Sequence, residues 1–171
     1  MDRPVPPSTL VALDTNFLLD LTVPTERAQD LVDLLRRRVK NVQFLVPPTV
    51  LTELAHLAEK GETALARTMA IRALQSMVSR WKFHPLDFVP VGHGIVERVA
   101  AQLRGPGLIP PGEIHDSLVV AEAALANCVL LVSSDRHLLD ADAGLLRKVL
   151  AASDVEPIAI QSPKDLLLKF R

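Results

Sequence analysis

The chain has 171 residues, 49% apolar and 23% charged, a length and balance that exclude bulk disorder and give roughly one domain with a buried core. Its 19 Lys+Arg and 20 Asp+Glu leave a formal net charge of −1, without the overall basic excess that marks many nucleic-acid-binding domains. One Trp, five Phe and no Tyr argue against a module built on exposed aromatic stacking platforms.

Residues 1–8 form a Pro-rich extension that lacks the apolar stretch of a signal peptide, and residues 9–171 read as one folded domain. Residues 9–13 are an apolar run of strand length that ends at Asp14-Thr15-Asn16 and turns at once into a helix. Pro24-Thr25 opens an amphipathic helix in which Ala28, Leu31, Val32, Leu34 and Leu35 recur at helical spacing, and Arg36, Arg37 and Arg38 close it, as suits a helix C-terminus. A second strand, 42–46, stops at Pro47-Pro48, and a helix over 49–60 follows until Gly61 breaks it.

The spacing of Leu65, Met69, Leu74, Met77 and Trp81 predicts a long helix over 62–81. A strand-like piece at 86–91, interrupted by Pro90, and a helix over 95–104 lead into the Gly- and Pro-rich loop 105–112. The last third predicts a helix over 113–127, a strand over 128–133, a turn at Ser134-Asp135, a helix over 144–152, a strand over 156–160 and a terminal helix from Pro163. Short apolar strands alternating with helices predict an α/β fold with a mostly parallel central sheet flanked by helices. The echo between residues 14–20 and 135–140 reads as two similar strand-to-helix turns.

No uncharged stretch reaches the ~18 apolar residues of a membrane helix, so no membrane contact is predicted. Cys128, the one cysteine, lies in the apolar run 128–132 and reads as a buried thiol in a reducing cytoplasm.

Asp14 and Asp135 each close a predicted buried strand, at the edge of an α/β sheet where ligands sit. Either acid alone equally suits a helix cap. Glu53 and Asp116 fall early in helices rich in small and aliphatic residues, which pack flush against a sheet. If the four converge, each pair of bare carboxylates costs on the order of 4 kcal/mol at ~4 Å and an effective dielectric of ~20, so the cluster needs protons or a hard cation. Oxygen ligands without a Cys/His set at zinc spacing select Mg²⁺ or Mn²⁺, and the natural chemistry is phosphodiester hydrolysis.

Leu13-Asp14-Thr15-Asn16, Glu53 in Pro-Pro-Thr-Val-Leu-Thr-Glu-Leu, and Ile114-His115-Asp116-Ser117-Leu118 running on to Ser133-Ser134-Asp135 make the chain similar to a PIN-domain ribonuclease of the VapC toxin type. The resemblance spans nearly the whole chain. It implies a metal-dependent endoribonuclease in which Asp14, Glu53, Asp116 and Asp135 hold one or two Mg²⁺ or Mn²⁺ ions, Asn16 and Ser133 support these ligands or orient the RNA, and an activated water attacks phosphorus in line. It further implies a toxin paired with a cognate antitoxin and acting as a homodimer.

Two stretches carry local basic charge: Arg36 to Lys40, and residues 63–86, which hold Arg67, Arg72, Arg80 and Lys82 with no acid. Both suit solvated faces, and Arg36, Arg37, Arg38, Arg67 and Arg72 are also the candidates for gripping RNA phosphates beside an acidic centre. Glu53-x-x-His56 has the spacing of a di-iron ligand pair but has no second copy. His115 and His137 neighbour the proposed acids. A metal-dependent phosphatase on another α/β fold and a non-catalytic interaction module stand as alternatives. The first lacks an Asp-x-Asp nucleophile, and the second leaves all four acids unexplained.

Overall fold

The computed structural model describes residues 7–24, 26–87 and 93–170. Among these the chain runs β1 (Thr9–Leu13), α1 (Thr15–Asp20), α2 (Glu26–Arg38), β2 (Val42–Val46), α3 (Pro48–Lys60), α4 (Ala64–Ser79), β3 (His84–Pro85), α5 (His93–Arg104), α6 (Ile114–Leu125), β4 (Leu130–Val132), α7 (Arg136–Leu139), α8 (Ala143–Ala151), β5 (Ala159–Gln161) and α9 (Pro163–Lys169). The strands form one sheet in the order β3-β2-β1-β4-β5, and every neighbouring pair is parallel. Parallel pairing needs long crossovers, which the helices supply.

Burial explains the apolar strands. Val11, Ala12 and Leu13 of β1, and Leu131 and Val132 of β4, are all at most 2% exposed, as befits central strands covered on both faces. Around them pack Leu31, Val32 and Leu35 of α2 and a run of buried small and aliphatic residues on α6. Cys128 is buried and free, and burial pushes its thiol up to about 12, which keeps it unreactive.

The two edges of the sheet use different turn chemistry. At all four helix-to-strand turns the chain passes through the left-handed region, at Asn41 (φ 51°), Lys82 (φ 56°), Asn127 (φ 59°) and Asp154 (φ 55°). The turn after α6 shows why: the Cys128 N–H returns 3.0 Å to the Ala123 carbonyl, closing the helix end, and the Val155 N–H does the same to Leu150 after α8. Those residues are spent on capping, so β4 and β5 begin later than the apolar runs that start at Cys128 and Glu156 suggest. At strand-to-helix turns the caps are side-chain oxygens, with Asp14 capping α1, Asp135 capping α7 and Ser162 capping α9. The echo between residues 14–20 and 135–140 is thus two capped turns.

Other boundaries also move. The helix over 62–81 is α4, opened by Thr63, whose hydroxyl accepts the Ala66 N–H. The tight turn before it needs Gly61, since a Cβ there would stand 2.5 Å from the Leu57 carbonyl oxygen. The edge strand is His84–Pro85 rather than 86–91, because Pro85 cannot extend the ladder and only the Leu86 N–H continues it, to Val46. Residues 88–91 of that expectation, and most of the 1–8 extension, lie outside the described residues.

Candidate metal centre

In the strand order β3-β2-β1-β4-β5, the chain leaves β1 toward one side and returns to the other at β4, so a crevice opens between their carboxyl ends. Asp14 and Asp135 arrive there. The Asp14 N–H reaches the Val132 carbonyl at 3.1 Å, Oδ1 accepts the Thr15 N–H at 2.7 Å and Oδ2 accepts the Ser133 hydroxyl at 2.6 Å. Ser133, fully buried, in turn accepts the Asp135 N–H at 3.0 Å, so one hydroxyl ties the two strand ends together. Asp135 Oδ1 caps α7 through the His137 N–H at 2.7 Å.

Two helices bring the other acids. Glu53, in the second turn of α3, accepts the Thr15 hydroxyl on Oε2 and faces His115 Nδ1 at 3.0 Å with Oε1. Asp116 lies in the first turn of α6, and its Oδ2 is buried without a hydrogen-bond partner, with His137 Nδ1 3.9 Å away. The register of α3 against α6 is held by a third carboxylate. Pro47 caps α3 without a side-chain acceptor, and Glu122 of α6, 5% exposed, takes the Thr49 N–H at 3.0 Å and the Thr49 hydroxyl at 2.7 Å. Thr49 and Glu53 are one helical turn apart, so this clamp sits directly behind Glu53.

The charges feel one another. Burial raises the Asp14 carboxyl above its usual range, the bonds from Ser133 and Thr15 oppose this, and Glu53 and Asp135 push it further up. Asp116 is pushed up to about 6, by burial first and then by Asp135, Asp14, Glu113 and Glu53. The four acids therefore share one field.

Sequence reasoning gave no role to Glu113, which stands at the N-cap of α6, three residues before Asp116. Its carboxylate stands 3.4 Å from His137 Nδ1, and one ligand atom each of Glu113, Asp116 and His137 lie within 4.8 Å of one another. The i, i+3 spacing of Glu113 and Asp116 was the available signal. The cluster suits a hard cation: the donors are mostly oxygens, the acids repel while bare, and Asp116 Oδ2 has an unused acceptor buried among them.

The remaining expected residues are placed as follows. Asn16 is exposed on the first turn of α1, and His56 is exposed on α3. Arg36, Arg37 and Arg38 close α2 just before β2 enters the sheet, which puts them at the amino edge, opposite the acids. Arg36 there donates to the Trp81 carbonyl and lies 5.5 Å over the Phe44 ring and 5.9 Å over Phe83. Arg67 folds back onto the Gly61 carbonyl, and Arg72 is exposed on α4. The expectation that the Arg36 triplet flanks the carboxylates is corrected: a helix that ends in cations before a parallel strand delivers them to the far edge.

A family model described as PIN domain matches residues 11–144, a span that includes Asp14, Glu53, Asp116 and Asp135. Comparison with curated proteins gives no significant match. Among solved structures, VapBC2 from Rickettsia felis bound to a DNA fragment from their promoter is similar at TM-score 0.59 and 18% identity, over 90% of this chain and 98% of that one. FitAcB from Neisseria gonorrhoeae is similar at TM-score 0.52 and 17% identity, over 90% and 98%. FitAB bound to the IR36 DNA fragment is similar at 0.51 and 17%, over 90% and 94%. At these identities the likeness shows the shared fold.

Proposed function

Since this chain belongs to the PIN-domain family, we propose that it is a Mg²⁺- or Mn²⁺-dependent endoribonuclease, the toxin of a toxin–antitoxin pair. The observation that carries the reading is the buried Asp116 Oδ2, without a hydrogen-bond partner inside a cluster of mutually repelling acids. A protein selected only for stability has little reason to keep such an atom, whereas a cation site requires it.

Asp14, Glu53, Asp116 and Asp135 are the residues that would hold one or two ions, with Glu113 and His137 beside Asp116. When bound, such an ion supplies Lewis acidity, which makes water nucleophilic near neutral pH and neutralises charge developing on a phosphate. The chain's own groups set the geometry. Ser133 locks the Asp14 carboxylate and the Asp135 backbone in one orientation, Thr15 holds the outer oxygen of Glu53, and the Glu122 clamp keeps α3 seated against α6. Asp116 carries a proton more readily than an ordinary carboxyl and gives it up when positive charge arrives.

Likeness to VapBC2, FitAcB and FitAB supports the toxin role, and with it a cognate antitoxin; the homodimer is part of the same proposal. The free buried thiol and the lack of any described helix long and apolar enough to cross a membrane support action in the cytoplasm. The test compares purified wild type with Asp14→Asn and Asp116→Asn for Mn²⁺ binding by calorimetry and for Mn²⁺-dependent RNA cleavage. Both variants should stay folded and lose cleavage; full activity in both would sink the reading.

A further inference from the structure

Two of the substrate-gripping cations named from sequence are committed elsewhere: Arg36 to the Trp81 carbonyl and Arg67 to the Gly61 carbonyl. Two other cations are not. Arg27 opens α2 and Lys164 opens α9, two helices that pack on each other and both start at the carboxyl edge of the sheet, where the acids gather. Among the described residues neither enters an ion pair or a side-chain hydrogen bond. Both line a cavity of about 390 Å³, whose walls also include Ser134, Ser162 and Asp20. Two cations and one carboxylate thus line this cavity, with Asp30 beside the same cations in the adjoining one; the Ser134 hydroxyl adds a donor, while the Ser162 hydroxyl is already donated to Asp165.

The position of this cavity is what gives it meaning. Ser134 stands between Ser133, which binds Asp14, and Asp135 itself. Asp20 and Leu139, also in its lining, end the short helices that Asp14 and Asp135 begin, so the cavity lies roughly 6–9 Å along α7 and α1 from the acids. That is the reach of the next phosphates along an extended strand. Beyond the cation pair, a second cavity of about 190 Å³ is bordered by Leu167 and Leu168, with Asp30 at its rim. A base leaving the phosphate on that side meets aliphatic side chains.

We propose that Arg27 and Lys164 form a backbone-phosphate subsite for single-stranded RNA, set beside the carboxylate cluster and holding the strand on one side of the bond to be cut. The proposal rests on the nuclease reading and gives it a substrate class. Because the chain is poor in aromatic residues, with the described Phe17, Phe44, Phe83 and Trp81 buried and Phe170 partly buried, affinity comes chiefly from phosphate contacts and is salt-dependent.

The test uses full-length protein and a fluorescein-labelled single-stranded RNA 12-mer, with binding read by anisotropy in EDTA over a range of KCl concentrations and cleavage read in Mn²⁺. In Arg27→Ala/Lys164→Ala, affinity at 0.1 M salt should fall about 10-fold and the log–log salt slope should shrink by about 1.4, at ~0.7 per lost phosphate contact. KM should rise with kcat unchanged, and Arg27→Lys/Lys164→Arg should restore both affinity and slope. An unchanged slope and KM in the alanine variant would overturn the subsite. Unchanged RNA binding with lost binding of a polyglutamate peptide would also overturn it and assign the cations to a protein partner. Salt-dependent binding that needs Arg27 and Lys164, in a wild type that cleaves no RNA with any divalent ion, would support the subsite while sinking the nuclease reading.

Discussion

The four acids gather at the carboxyl edge of the sheet and the Arg36 triplet closes a helix at its amino edge, for reasons that begin with backbone chemistry. Helices start at the carboxyl edge, and their free N–H groups call for acceptors, which Asp14, Asp135 and Glu122 provide. Helices end at the amino edge, where cations suit the exposed carbonyls and left-handed residues close the turns, as Arg36 and Asn41 do. The two edges part company in how fully their charges are satisfied. Arg36 has a carbonyl and two ring faces, whereas Asp116 Oδ2 has no hydrogen-bond partner and is surrounded by acids. One edge is built to hold; the other keeps unsatisfied charge in place, as a binding site must.

The largest expected contrast is in activity. Asp14→Asn or Asp116→Asn should lower Mn²⁺-dependent RNA cleavage by about 10³-fold or more, while Arg36→Ala leaves kcat within about twofold, as assayed on the same RNA. Next comes a contrast between two acids of one helix. Glu122→Ala, which strips both acceptors from Thr49, should cost about 2–3 kcal/mol in urea unfolding. Arg36→Ala should cost about 1–2 kcal/mol through its lost carbonyl bond and ring contacts.

Asp116→Asn should act with the opposite sign. The folded protein raises this carboxyl from 3.8 to about 6, so the folded state binds the extra proton, and the stability linked to it is present at low pH and lost as pH rises through about 6. Metal-free Asp116→Asn should therefore unfold later than wild type near pH 7, by about 1 kcal/mol after allowance for solvent screening, with the gap narrowing toward pH 4.5. Saturating Mn²⁺ should reverse the order, because only wild type gains from binding.

Much of this was legible in the residues themselves. Asp14 and Asp135 stand out because an acid that ends an apolar strand interrupts the pattern that buries it, and Gly61 stands out because nothing larger fits its turn. Glu113 and His137 were not legible as a pair, since α6 and α7 meet only after β4 has joined the sheet. The partner of Glu122 was equally hidden: Thr49 lies 73 residues away, and a Pro at the cap position does not say which acid will replace it. The edge that the Arg36 triplet reaches was not legible either, because local charge along a chain carries no statement of which sheet edge it reaches.

Sequence alone determined the α/β alternation, the parallel sheet and the acids that punctuate it, because strand and helix periods and cap chemistry act over a few residues. Only the tertiary structure decided that β1 and β4 are neighbours, that four acids share one field, and that Arg27 and Lys164 rather than Arg36 stand near them. The net charge of −1 sums charges without their positions. Coulomb energies depend on separation and burial, which a chain acquires only when strands far apart in sequence pair.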